Sequence, residues 1–88
     1  MQPLRVIFRA EKSGDFKGAV TAIFPDDPTV AGWLSAYSHV GQHSMACPAW
    51  YRTTRPATLD EYAPLLAELR LTYETGPDAM RLVVCKRR

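Results

Sequence analysis

Leu4, Val6 and Phe8 alternate with Arg5, Ile7 and Arg9 near the start of the chain. A two-residue period of this kind marks a strand with one face toward a core and the other toward water. Arg5 and Arg9 share their face with Ile7, which makes that face the wetter one. Ser13, Gly14, Asp15 and Gly18 then supply turn chemistry. The apolar, partly β-branched run at residues 19–24 returns as a second strand, so the first two strands form a hairpin. Pro25, Asp26, Asp27 and Pro28 stop it, because proline gives no ladder donor and aspartate favours turns. A third strand is expected over residues 33–40. Trp33, Ser35, Tyr37 and His39 lie on one of its faces, and Leu34, Ala36, Ser38 and Val40 on the other.

Residues 41–49 carry no sustained period and are closed by Pro48, which predicts a loop with room for one helical turn. Residues 50–54 read as a short edge strand. Thr58 followed by Glu61 matches a capping box, in which each side chain satisfies an amide left open at a helix start. Leu59, Tyr62, Leu66, Leu69 and Tyr73 then recur at helical spacing as one apolar stripe, while Glu61, Glu68 and Glu74 can stay wet. Pro64 conflicts with a regular helix from Thr58, because it removes one intrahelical bond. The pattern therefore predicts a separate first turn or a late start. Gly76 and Pro77 end the helix. Met80, Leu82 and Val84 form a last strand, placed beside the first or second. The order of elements predicts an α+β fold: a single domain over residues 1–88, with an antiparallel or mixed sheet of about 4–5 strands and one main helix, about 58–74, packed on one face.

A chain of 88 residues has room for one core. With 47% hydrophobic and 23% charged residues it has the composition of a folded domain rather than a disordered one. Eleven Lys and Arg against nine Asp and Glu leave a net charge of +2, far from the single-sign field of a dedicated nucleic-acid binder. The exception is the end of the chain, where Lys86, Arg87 and Arg88 follow the last strand. The start of the chain lacks the pattern of a secretory signal, and no apolar run reaches membrane-spanning length. Cys47 and Cys85 have no CxxC neighbours. A cytoplasmic protein with free thiols is the expectation.

The densest set of chemically unusual residues is Tyr37, His39, Gly41, Gln42, His43, Ser44 and Cys47. Were residues 39–47 helical, His39, His43 and Cys47 would stack at four-residue intervals as metal ligands. Gly41 and the preceding strand period argue against that helix, and a fourth ligand is lacking from the loop. His43 beside Ser44, or His39 with Cys47, suggests a nucleophile and base, without a third group to orient the imidazole. No cofactor motif is present. A second constellation is Trp50, Tyr51, Arg52 and Arg55, residue types enriched at protein interfaces and on single-stranded nucleic-acid platforms.

The strings VIFRAEKSGDFKGAVTAIFP, YSHVGQHS and TLDEYAPLLAELRLTY together resemble a family of small bacterial and prophage-associated proteins, with the HVGQH stretch at residues 39–43 as the most specific part. The resemblance covers most of residues 6–73. It implies an accessory or mobile-element context, and no activity comes with it. Residues 45–55 follow that pattern least, which argues against a role for Cys47. Taken together, the residues point first to a non-enzymatic protein-binding module using Tyr37, His39, Gln42, His43, Trp50, Arg52 and Arg55. Second comes a nucleic-acid-binding accessory protein using Arg52, Arg55 and the basic end. Third comes a small metal-dependent or nucleophilic enzyme at His39, His43 and Cys47. An edge at residues 50–54, or at the last strand, offers a place for a second copy to pair.

Overall fold

The first strand, β1 (Gln2–Glu11), is the axis of the sheet in the computed structural model, which describes residues 2–26, 34–38 and 43–85. Its ten residues are enough to pair with β2 (Val20–Phe24) on one side and with two strands in succession on the other. Ile7 stands opposite Ile23 in the antiparallel β1–β2 pair. On the far side, β5 (Thr54–Pro56) runs antiparallel to residues 9–11, and β6 (Met80–Cys85) runs parallel to residues 2–7. Beyond β2 lie β3 (Leu34–Tyr37) and β4 (His43–Ala46), both antiparallel to their neighbours. The sheet is thus mixed and six-stranded, in the order β4-β3-β2-β1-β5 with β6 alongside β1.

The hairpin between β1 and β2 closes where it was expected. Glu11 and Ala19 are joined by a 3.0 Å backbone hydrogen bond, and Gly18, at φ 88°, donates a second to the Glu11 carbonyl. A side chain at that left-handed position would be strained, so glycine is required there.

Even-numbered β1 residues face α2 (Leu59–Tyr73), which lies across the sheet. Val6, Phe8, Ala22, Phe24, Tyr37 and Leu82 meet Leu65, Leu66 and Leu69 of the helix in one apolar cluster. Phe8 and Tyr62 stack with ring centroids 4.5 Å apart, and Phe24 meets Tyr73 at 5.6 Å. Each such pair contributes about 0.5–1.5 kcal/mol beyond the area it buries. The capping box forms as read: Thr58 Oγ1 accepts from the Glu61 amide, and Glu61 Oε1 accepts from the Thr58 amide. The helix does not break at Pro64. That residue is exposed, and the carbonyl its missing amide leaves open belongs to Asp60, itself exposed to solvent. Leu59 is a second correction, since it is 63% exposed rather than part of the buried stripe.

Three further expectations are overturned. Ile7 is 1% exposed, so the odd-numbered face of β1 is not simply the wet one; it carries a smaller core with Ile23, Leu34, Ala36 and Ala46. Residues 43–46, read as loop, form β4, whose pairing with β3 supplies the backbone hydrogen bonds that its short polar sequence does not advertise. Residues 50–54, read as an edge strand, instead hold most of a short helix, α1 (Pro48–Arg52), with β5 beginning at Thr54. The third strand is shorter than 33–40, and Trp33, His39 and Val40 lie outside the described residues.

Candidate functional site

α1 sits on the odd-numbered face, held at its start by an unusual cap. The Cys47 Sγ accepts from the Trp50 amide at 3.4 Å, and Pro48 occupies the first helical turn, where its missing amide costs nothing. At the other end Thr53 donates back to the Trp50 carbonyl through both its amide and its hydroxyl. A helix of five residues cannot stand alone, so what fixes it is tertiary.

Two polar contacts do most of the fixing. The indole N–H of Trp50 donates to Glu11 Oε1 at 2.8 Å, tying α1 to the end of β1. Arg9 donates through Nε to Thr54 Oγ1 at 2.8 Å and through Nη2 to the Thr54 carbonyl at 2.6 Å, while its guanidinium lies 4.4 Å from the centre of the Tyr51 ring. Thr54 is 2% exposed, and its hydroxyl donates onward to the Tyr51 carbonyl at 2.6 Å, so this buried polar group is fully used. Trp50 and Tyr51 pack their apolar parts on Ile7, Ile23 and Leu34.

α1 is too short to cover its whole face. Beside it the sheet carries only small side chains: Ala19, Thr21, Ala36, Ser38, Ser44 and Ala46. They floor an open groove of about 430 Å³, bounded by Phe16, Met45, Cys47, Trp50 and Glu11. Phe16 is 74% exposed, whereas the side chain of Met45, paired with Ser35, alternates to the α2 side of the sheet. A second concavity of about 530 Å³ opens where β5 and β6 both end against β1, lined by Phe8, Pro56, Leu59, Tyr62, Val84 and Cys85.

The structure separates the sequence-derived site residues. Tyr37 is 2% exposed in the α2-side core and presents no surface, because alternation along β3 turns it to the helix-covered face. Arg55 is also on the α2 side, in a two-pronged ion pair with Glu61, at 2.7 Å (Nη1–Oε1) and 2.6 Å (Nη2–Oε2). Those bonds, with the Thr58 amide, hold the Glu61 carboxyl down from 4.5 to about 2 and push the Arg55 guanidinium above its ordinary value. Trp50 and Arg52 are on the opposite side, Trp50 half-buried and Arg52 exposed. The Trp50, Arg52 and Arg55 group therefore does not form one surface. His43 belongs to β4, paired with Tyr37, and Cys47 is the α1 cap, so the helical stacking of His43 and Cys47 does not arise. His39, Gln42, Lys86, Arg87 and Arg88 lie outside the described residues. Among the described residues no three His, Cys, Asp or Glu side chains gather as metal ligands, and no helix is long and apolar enough to cross a membrane.

Sequence reasoning missed Arg9, Glu11 and Phe16. Arg9 read as the wet side of a strand, and Glu11 and Phe16 were not singled out. The available signals were a large aromatic ring among glycines and lysines, and Pro48 placed as a first helical residue. In comparisons with known proteins, no family model, no curated protein and no solved structure matches this chain.

Proposed function

We propose that the protein is a small non-enzymatic binding module, that its partner is a protein, and that the partner docks in the groove beside α1. The observation that carries this reading is that the exposed Phe16 and the half-buried Trp50 both bound a floor of small residues. Isolated exposed apolar side chains are ordinary on a protein surface, but a large exposed ring beside a concavity floored by small side chains supplies an anchor and the space to receive a partner. Trp50 forms one wall, fixed by its bond to Glu11, so the groove exists before a partner arrives. A cytoplasmic location belongs to the same proposal. So does a role as a prophage or mobile-element accessory protein, which rests on the resemblance of residues 6–73 alone.

A photo-crosslinking amino acid at Ser44, which is exposed on the groove floor, tests the reading. In cells that make the protein, the expected product is an adduct with a polypeptide, lost in a Phe16→Ser variant whose melting temperature is unchanged. An adduct with nucleic acid, or a polypeptide adduct indifferent to that substitution, would overturn it.

A further inference from the structure

Among the described residues β4, β5 and β6 each have one side that meets no other strand. β4 has four residues, and β5 has three and ends in Pro56, so both edges are short in the way that keeps an edge from recruiting another chain. β6 is six residues long and has no proline, and Leu82, Val83, Val84 and Cys85 form an uncharged run after its one charge, Arg81. Which of its amides face outward follows from β1. Glu11 gives its amide and its carbonyl to the β2 side, to Ala19 and Gly18, while the Phe8 carbonyl accepts the Ala57 amide on the other side. Alternation therefore turns the amides and carbonyls of Leu4 and Val6 toward β6. In a parallel pair the residue directly opposite turns away, so Met80, Leu82 and Val84, opposite Gln2, Leu4 and Val6, present their amides and carbonyls to the open side.

The middle one of these three positions is taken. Glu74, the residue that caps the end of α2, accepts the Leu82 amide on its Oε2 at 2.8 Å, and its Oε1 lies 3.7 Å from Arg70 Nε. We infer that Glu74 is a guard on the β6 edge, which keeps β6 from pairing with the β6 of a second copy of this chain. Any antiparallel register that joins two or more of the outward residues to their counterparts has to use Leu82. With the carboxylate in place the Leu82 amide is already spent, and an incoming carbonyl oxygen meets a carboxylate oxygen, acceptor against acceptor. A two-fold pairing centred on Leu82 would also bring the two carboxylates to the same axis, where like charges repel. The one long edge of the sheet is thus closed by a side chain from the helix that packs on it, while the two short edges need no such device.

Sedimentation velocity of the full chain over a wide range of concentration, with amide exchange beside it, tests the assignment. The wild type is expected to stay monomeric. Glu74→Ala is expected to associate, and exchange at the Val84 amide should slow by roughly tenfold or more as its concentration rises. Adding Val84→Pro to Glu74→Ala should restore the monomer, because the Val84 amide faces away from β1 and proline there removes a donor only from the open edge. A Glu74→Ala variant that stays monomeric, whatever its melting temperature, would overturn the guard and leave Glu74 as a fastening between helix and strand. Association that persists in the Glu74→Ala, Val84→Pro variant would place the contact elsewhere and overturn it too. So would a wild type that already dimerises with its Val84 amide protected.

Discussion

The two faces of the sheet are held by different physics. On one, the fifteen-residue α2 lays three buried leucines and two tyrosines over a field of aromatic and aliphatic side chains. On the other, the five-residue α1 is held by a guanidinium, an indole N–H and a buried threonine, and much of the sheet beside it is small side chains left open. Burial stabilises in proportion to area, so the long helix sets the stability of the domain. Directional polar contacts fix geometry while leaving surface free. The difference assigns stability to the α2 face and, on the proposed reading, leaves the α1 face for recognition.

Substitutions on the two faces should therefore act unequally. Leu69, which is 0% exposed, anchors the larger core, and Leu69→Ala should cost about 2–5 kcal/mol in urea unfolding. A loss under about 1 kcal/mol would break the contrast at its stronger side. Thr54→Val removes the acceptor for Arg9 Nε and the donor to the Tyr51 carbonyl, and should cost about 1–3 kcal/mol. It should also loosen α1, seen as faster amide exchange at Tyr51 with exchange in α2 unaltered. The α2 cap is next in size: Thr58→Ala should cost about 1 kcal/mol.

Acid separates the faces in another way. Glu61 has its carboxyl held below its unfolded value, so its contribution is fully present above about pH 4.5 and is lost as the pH falls toward about 2. The melting-temperature advantage of the wild type over Glu61→Gln should shrink across that window, because glutamine keeps one oxygen for the Thr58 amide and loses the charge and the acceptor for Arg55 Nη2. Asp26, lowered by Arg5, adds a loss of the same sign that Glu61→Gln leaves in place. The smallest expected effect on stability belongs to the groove itself. Phe16→Ser should shift unfolding by less than about 0.5 kcal/mol while removing partner binding, and a large destabilisation would mean that the ring is structural.

What the sequence by itself determined were the elements whose cause is local. The β1 alternation, the turn at Gly14 and Gly18, the Thr58–Glu61 cap and the stop near Gly76 all follow from side chains within a few residues of one another. Only tertiary structure decided the rest. The four residues of β4 become a strand because β3 offers them hydrogen-bond partners, and α1, capped by a cysteine, persists because Glu11 and Arg9 meet it from distant positions. The groove is less legible still, since it is a gap between elements: six small residues from separate strands and one loop ring become a surface only when the sheet assembles. Pairing across the sheet also sent Tyr37 and Arg55 to one side and Trp50 to the other, because strand alternation assigns a face only after the register is set.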